Sequence, residues 1–333
     1  MKIAQYEGIT LHDLEPPVES FREEVLEGLR RPHKALPPKF FYDDAGAELF
    51  EQICELPEYY PTRTETAILR ENIGQITSLL GAGCLLVEFG SGTSTKTRII
   101  LDELASPAAY VPIDVARSQL IQTAAVLARA YPGLDVLPVC ADYMSRLELP
   151  SPRRAVARTA AFFPGSTIGN LEAADADAFL KRVARLCGAD GGLVIGVDLQ
   201  KDRAILEPAY NDASGVTAAF NLNVLRHINR ELGTDFDLRA FRHEAFYDEE
   251  RSRIEMRLIS LRSQSVRVAG IDIPFAQGEA ITTEYSHKYS LEGFRDTAER
   301  AGFSVEQVWT DEQHLFSVQY LRAIAEIDTP SAS

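Results

Sequence analysis

The chain has 333 residues, of which 45% are hydrophobic and 25% are charged, as in a globular protein large enough for two lobes. Its formal net charge of −15 argues against a surface for nucleic acid or anionic membrane and favours a small-molecule partner. The four cysteines are widely spaced, no basic leader precedes an apolar run, and no apolar run reaches the ~18 residues of a membrane span. We therefore expect a cytoplasmic monomer without a metal, nucleic-acid or membrane partner.

Hydrophobic periodicity predicts three helices in the first quarter of the chain, over 17–30, 45–54 and 64–80. Strands and helices then alternate. The predicted strands lie near 84–89, 109–113, 134–139, 158–163 and 192–198, and the predicted helices lie near 95–105, 116–131, 171–187 and 202–212. This alternation predicts an α/β fold with a mostly parallel sheet covered on both faces.

The alternation breaks after Asp198. A helix is predicted over 215–232, strands over 242–248, 253–262 and 265–274, then a helix over 291–301 and strands over 304–309 and 314–322. The last two strands would complete the sheet, with the final strand antiparallel. We predict that 1–63 and 199–289 form an inserted α+β substrate lobe, that 64–198 and 290–333 form the sheet domain, and that the tail at 328–333 is disordered.

The segment CLLVEFGSGTS, at 84–94, joins a buried strand to a helix through a glycine turn. Gly90 and Gly92 let the backbone turn sharply and approach a ligand without an intervening Cβ atom. A dinucleotide-binding G-x-G-x-x-G turn would need a glycine where this chain has Thr95. Taken alone, the turn also fits an ordinary strand–helix connection.

Acids follow the next two predicted strands. Asp114 follows Gly90 at about the sequence spacing at which an acid binds ribose hydroxyls. Asp142 could accept from an adenine amino group while Tyr143 packs on the ring. Either aspartate could instead be a helix cap. Lys96 could face a ligand carboxylate or be a solvated residue of the first helical turn.

Longer segments carry a specific resemblance. They are LPPKFFYDDAGAELFEQICELPEYYPTRTE (36–65), VEFGSGTSTKTR (87–98), PGSTIGN (164–170), YNDASGVTAAFNLNVL (210–225), RIEMRL (253–258) and TTEYSHKY (282–289). Together they resemble the histidine-specific Nα-methyltransferases of ergothioneine biosynthesis. The resemblance implies a class I S-adenosylmethionine-dependent methyltransferase fold, Rossmann-like, and trimethylation of the α-amino group of L-histidine to hercynine. It implies S-adenosylmethionine as the methyl donor.

The resemblance also implies roles for individual residues, on both sides of a cleft. On the cofactor side the matching positions are Gly90, Gly92, Lys96, Asp114, Asp142 and Tyr143. On the substrate side, Tyr59 and Tyr210 would hold the carboxylate, Asn170 would orient the α-amino group with Gly165 nearby, and Glu284 and Ser286 would hydrogen-bond the imidazole. Met256 would pack near the ring, and Tyr42 and Phe220 would line the pocket, with Tyr42 and Asn170 taken as the catalytic residues.

The chemistry of an imidazole amino acid fits this set. A ring N–H needs an acceptor and a bare ring nitrogen needs a donor. Glu284 and Ser286 are two residues apart, so on a strand they share one face and Tyr285 points to the other. From composition alone, a surface glutamate is the preferred interpretation of Glu284.

Two other functions stay open at this point. An enzyme of the same architecture could methylate another amino acid. Histidine is favoured because both Glu284 and Met256 fit an imidazole. A non-catalytic cofactor-binding regulator would need a blocked acceptor pocket, whereas this chain keeps its polar pocket residues.

Overall fold

The structure is a computed structural model that describes residues 2–6, 9–14, 18–145 and 147–324. The predictions for residue 17 and for the tail at 328–333 lie outside these ranges. The helices are α1 Val18–Arg30, α2 Asp44–Cys54, α3 Tyr60–Leu80, α4 Thr95–Glu103, α5 Arg117–Ala130, α6 Ala173–Cys187, α7 Arg203–Leu206, α8 Val216–Leu232 and α9 Leu291–Arg300. The strands are β1 Lys2–Tyr6, β2 Ile9–Asp13, β3 Lys34–Ala35, β4 Cys84–Phe89, β5 Ala109–Asp114, β6 Val139–Cys140, β7 Arg158–Phe163, β8 Gly192–Asp198, β9 Phe241–Asp248, β10 Arg253–Ser260, β11 Gln264–Val268, β12 Ile271–Phe275, β13 Ala280–His287, β14 Phe303–Thr310 and β15 Phe316–Ala323.

A nine-stranded sheet organises the larger part of the described chain, in the order β1-β2-β6-β5-β4-β7-β8-β15-β14. In this sheet order, every neighbouring pair of strands from β2 to β8 is parallel. Strand β15 runs antiparallel to β8, as predicted for the last strand. Strands β4 and β8 are buried along their whole length, because separate apolar clusters cover the two faces of the sheet. The predicted α/β fold class is confirmed.

The strand order reverses between β4 and β7, which are neighbours in the sheet. Helices that follow the two strands leave on opposite faces at such a point, and a crevice opens beyond the carboxyl ends. The glycine turn of Gly90 and Gly92 follows β4, and the loop containing Gly165 follows β7. The fold therefore brings both glycine-containing loops to the same edge.

A second, four-stranded sheet has the order β3-β13-β10-β9. Helix α8 packs against it, and their common apolar core includes Phe220, Val224 and Met256. The segment after β13 lies beside the large sheet, since Tyr289 pairs with Leu199 just after β8. This junction places the substrate-lobe strand β13 next to the carboxyl edge of the nine-stranded sheet.

Three predicted elements differ from the structure. The helix predicted over 202–212 is only one turn, α7, because Pro208 has no N–H to continue the ladder. The strand predicted over 134–139 is reduced to a bridge at Val136 and the short β6, with Pro138 between them. The strand predicted over 265–274 is the hairpin of β11 and β12, which turns at Ala269 and Gly270 with φ of 47° and 83°.

The N-terminal hairpin was also missed. Strands β1 and β2 pair with each other, and β2 adds to the large sheet beside β6, with His12 opposite Val139. The sequence interpretation gave this segment to the substrate lobe, but its strand pairing is with the nine-stranded sheet. The other lobe boundaries, at 63/64, 198/199 and 289/290, stay predictions.

None of the described helices is long and apolar enough to cross a membrane. Within the described ranges, no three His, Cys, Asp or Glu side chains are grouped closely enough to hold a metal ion.

Candidate active site

A large cleft of about 1150 Å³ lies at the reversal point of the sheet and extends to the second sheet. Most of the predicted site residues line it. They are Tyr42, Tyr59, Gly90, Gly92, Lys96, Asp114, Asp142, Tyr143, Gly165, Asn170 and Glu284. The structure therefore brings together residues from both predicted lobes, separated by more than half of the chain.

The glycine turn forms one end of the cleft. Gly90 and Gly92 have φ of 70° and 46°, and a Cβ atom added to either would meet no other atom within 4 Å. The Asp114 carboxylate accepts from the backbone N–H of Gly92 at 2.9 Å and from that of Ala116 at 2.9 Å. The buried Ser91 hydroxyl has no hydrogen-bond partner among the described residues. The open glycine turn and this free hydroxyl fit a ligand held at the turn.

Asp142 and Tyr143 form the adjoining wall. The Tyr143 ring packs edge-on against Phe163 and Phe179, with centroids 5.6 Å apart in each pair. Burial raises the pKa of the Tyr143 phenol well above its ordinary value, so the ring presents a neutral aromatic surface. The Asp142 carboxylate lies 2.9 Å from Lys39 Nζ and accepts from the Met144 backbone. The acid predicted to contact an adenine amino group is thus already paired with a lysine from the loop before α2.

A buried carboxylate that the sequence interpretation did not single out joins the two glycine loops. Glu65, on α3, is completely buried and forms an ion pair with Lys96. Both of its oxygens also accept from the Gly165 backbone N–H, at 3.0 and 2.9 Å. Lys96, predicted to face a ligand carboxylate, is therefore held at the edge of the cleft by Glu65. The sequence feature that could have identified Glu65 is its position on the apolar face of α3, three positions before Ile68 and four before Leu69.

Asn170 and Glu284 meet where the two sheets approach each other. The Asn170 side-chain amide donates to a Glu284 carboxylate oxygen at 3.3 Å, across 114 positions of sequence. Gly169 allows this approach, because a Cβ atom there would lie 2.7 Å from the His287 carbonyl oxygen. Burial raises the pKa of Glu284 to about 7, while the nearby Lys288 charge opposes the rise. A carboxylate with one amide donor in a buried cleft is ready to accept from a ligand.

Two tyrosines line the same part of the cleft. Burial raises the pKa of both Tyr42 and Tyr59 well above the ordinary value, so both phenols keep their protons. The Tyr42 ring meets Phe220 edge-on at 5.8 Å, and Tyr59 meets Tyr210 edge-on at 6.3 Å. These phenols can donate to an anionic group but cannot act as bases near neutral pH.

The other four predicted residues do not line this cleft, namely Tyr210, Phe220, Met256 and Ser286. Met256 is directly opposite Glu284 in the ladder of β10 and β13. Tyr210 donates its hydroxyl proton to Ser286 Oγ at 2.8 Å. Tyr285 lies on the opposite face of β13, with the Arg253 guanidinium 3.6 Å from the centre of its ring. Strand alternation thus separates Glu284 and Ser286 from Tyr285 as predicted.

The sheet order, the glycine turn after β4 and the acid after β5 define the chain as a class I S-adenosylmethionine-dependent methyltransferase fold. The family model described as "Histidine-specific methyltransferase, SAM-dependent" matches residues 21–323, and the chain belongs to that family.

Characterised relatives agree with this family assignment. The chain is 44% identical to the histidine N-alpha-methyltransferase of Mycolicibacterium smegmatis over 299 residues, which are 88% of this chain and 92% of the relative. The same identity and coverage hold for the histidine N-alpha-methyltransferase of Mycobacterium tuberculosis. The ergothioneine biosynthesis protein 1 of Neurospora crassa is 29% identical over 83% of this chain, which corresponds to 32% of that longer protein.

Proposed function

We propose that this protein transfers three methyl groups from S-adenosylmethionine to the α-amino group of L-histidine and so forms hercynine, the first step of ergothioneine biosynthesis. The observation that carries the proposal is the Asn170–Glu284 contact in the cleft. It sets an amide beside a buried carboxylate, at the place where the glycine loops meet the second sheet. The family membership and the 44% identical histidine N-alpha-methyltransferases support the choice of substrate.

The cofactor would lie against the glycine turn. Asp114 would accept from ribose hydroxyls, and Tyr143 would pack on the adenine beside Asp142. Lys96 would contact the methionine carboxylate. When bound, S-adenosylmethionine supplies an electrophilic methyl carbon. The open space over Gly90 and Gly92 supports this placement.

The substrate would lie between Asn170 and β13. Glu284 would accept from an imidazole N–H and Ser286 would donate to the other ring nitrogen, with Met256 and Phe220 packed behind. The neutral Tyr59 phenol would donate to the substrate carboxylate, and Tyr210 would support that end of the pocket. An unmatched buried carboxylate at Glu284 would disfavour a purely apolar ring.

The protein would act chiefly by alignment. Asn170 would hold the α-amine with its lone pair directed at the methyl carbon, with Tyr42 and Gly165 shaping the space around the nitrogen. An α-amine ordinarily has a pKa of about 7.7–8.0, so a deprotonated fraction exists near neutral pH without a strong base. Alignment of two reactants lowers such a barrier by about 7–11 kcal/mol. An amide ligand is weak enough to release the nitrogen after each transfer.

We further propose that the substrates are L-histidine and its mono- and dimethylated forms, and that the protein works as a cytoplasmic monomer without a metal, nucleic acid or membrane. The net charge of −15 supports the absence of polyanionic partners.

The test is a product assay. The protein is incubated with S-adenosylmethionine and each amino acid in turn, and product masses are recorded. We expect a gain of three methyl groups on histidine alone. Methylation of a different amino acid and not of histidine would refute the substrate while keeping the reaction class.

A further inference from the structure

A buried group of charges contacts the hydroxyls of Tyr210 and Ser286, two of the residues proposed to bind the substrate. Lys288 follows β13 directly, and its side chain is completely buried. Its Nζ lies 2.7 Å from the Asp198 carboxylate and donates to Tyr210 Oη at 3.0 Å and Ser286 Oγ at 2.8 Å. The three N–H groups of the ammonium thus have three partners, and none is left for a ligand.

The Asp198 carboxylate holds this lysine together with a second one. Lys201 Nζ lies 2.6 Å from Asp198 Oδ1 and donates to Tyr60 Oη at 2.8 Å. Desolvation by burial lowers the pKa of Lys288, but Asp198 and Tyr210 raise it more, and the result lies above the ordinary value. Burial lowers the pKa of Lys201 to about 8, so both lysines are mainly protonated at pH 7 and the cluster then carries a net positive charge.

The contacts of Ser286 fix the direction of its hydrogen bonds. A serine hydroxyl has one O–H to donate and two lone pairs to accept. Both lone pairs of Ser286 are in use, one by Lys288 and one by the Tyr210 hydroxyl. Only the O–H of Ser286 remains, so toward any further partner this residue can donate but not accept.

We propose that Lys288 is a positioning residue that commits the Ser286 hydroxyl to donating, so that the pocket selects a ring with one N–H and one bare nitrogen. This inference rests on the proposed function, since it assumes that a ring lies between Glu284 and Ser286. Glu284 accepts from the N–H, and Ser286 donates to the bare nitrogen. That pattern matches the neutral imidazole and excludes rings with two N–H groups or with none.

The test uses Lys288→Met, which removes the charge and the donors at similar length. Asp198 keeps Lys201 and Tyr60 as partners in this variant. Lys201→Met is the matched control, because it removes a buried lysine from the same carboxylate without touching Ser286. Dissociation constants for histidine are measured by calorimetry in the presence of S-adenosylhomocysteine, and kcat is measured at saturating histidine.

We expect Lys288→Met to weaken histidine binding about tenfold, which corresponds to about 1.4 kcal/mol. Because the partners of Lys288 are Asp198, Tyr210 and Ser286 and do not include Asn170, we expect kcat to stay within about threefold and the affinity for S-adenosylhomocysteine to stay unchanged. Ser286→Ala should weaken histidine binding similarly, and the double variant Lys288→Met/Ser286→Ala should be no weaker than either single variant. Lys201→Met should change the histidine dissociation constant less than twofold.

Several results would overturn the proposal. One is a folded Lys288→Met protein that binds histidine as the unchanged protein does, and another is a double variant whose losses multiply. If Lys288→Met does not fold, Lys288→Gln is measured in the same way. Failure of both to fold, while Lys201→Met folds, would assign Lys288 a structural role instead. An unchanged protein that binds S-adenosylhomocysteine but not histidine would refute the proposed substrate itself, before any variant is compared.

Discussion

Replacing Glu284 by glutamine should raise the free energy of unfolding of the ligand-free protein and lower its kcat/KM for histidine. The side chain is 8% exposed and accepts from Asn170. Its carboxylate lies in the cleft, where burial disfavours the charged form. Glutamine keeps the shape and one acceptor oxygen but removes the charge. The variant therefore separates the effect of the Glu284 charge on stability from its effect on substrate binding.

The stability effect follows from the pKa. Burial raises the pKa of Glu284 from 4.5 to about 7, so the folded chain holds this proton more tightly than the unfolded chain does. The favourable contribution of Glu284 to the free energy of unfolding is fully present below pH 4.5 and is lost as the pH rises through about 7. At 1.36 kcal/mol per pKa unit, the difference between the unfolded and folded pKa values lowers the free energy of unfolding by about 3 kcal/mol above pH 7. We expect Glu284→Gln to recover up to this much at pH 8 and little of it at pH 4.5.

The effect on function has the opposite sign. A hydrogen bond to a charged partner contributes about 1.5–3 kcal/mol. Because the neutral glutamine oxygen can still accept, with about 0.5–1.5 kcal/mol for such a bond, the loss toward an imidazole N–H is about 1–1.5 kcal/mol, which corresponds to a fall of about 5- to 13-fold in kcat/KM for histidine. The affinity for S-adenosylmethionine should be unchanged, because Glu284 is on the proposed substrate side of the cleft.

Urea unfolding at pH 4.5 and pH 8, followed by circular dichroism, measures the first effect, and initial rates measure the second. Glu71→Gln is the control, since Glu71 is exposed on α3 and such substitutions usually change stability by less than about 0.5 kcal/mol. Equal stability of Glu284→Gln and the unchanged protein at both pH values would refute the argument from burial. Unchanged kcat/KM would refute the contact with the imidazole.

Three further predictions concern other parts of the cleft. Asn170→Ala should lower kcat more than tenfold while S-adenosylmethionine binding stays within twofold; unchanged turnover at saturating histidine would count against its role. Asp114→Ala should weaken S-adenosylmethionine binding at least tenfold, because it removes the proposed ribose acceptor and the acceptor for the Gly92 N–H, and equilibrium dialysis measures this. Glu65→Gln should lower the free energy of unfolding by about 3 kcal/mol, since breaking a buried ion pair typically costs about 3–5 kcal/mol and glutamine keeps one acceptor for Gly165. Chemical denaturation with Glu71→Gln as the control checks this value, and a loss below about 1 kcal/mol would contradict it.

The sequence by itself determined most of the secondary structure and the fold class. The strands at 84–89, 158–163 and 192–198 have the predicted bounds, because a buried parallel strand is a short apolar run that ends at a turn. Errors fell where local chemistry is ambiguous. A two-residue turn inside 265–274 was overlooked, and prolines at 138 and 208 shortened their predicted elements. The addition of β2 to the large sheet was missed because its pairing with β6 joins segments far apart in sequence.

Glycines and acids at strand ends predicted the proposed cofactor side of the cleft, because spacing along one βαβ unit is a local property. Tertiary structure alone decided which charges meet. Glu65 reaches Gly165 across 100 positions, and Asn170 reaches Glu284 across 114. Lys288 stood inside a segment that carried the resemblance, yet only the contact with Asp198 shows that it is buried and charged. Such pairs form because a charge removed from water needs a partner, and the fold, not the spacing, brings that partner near.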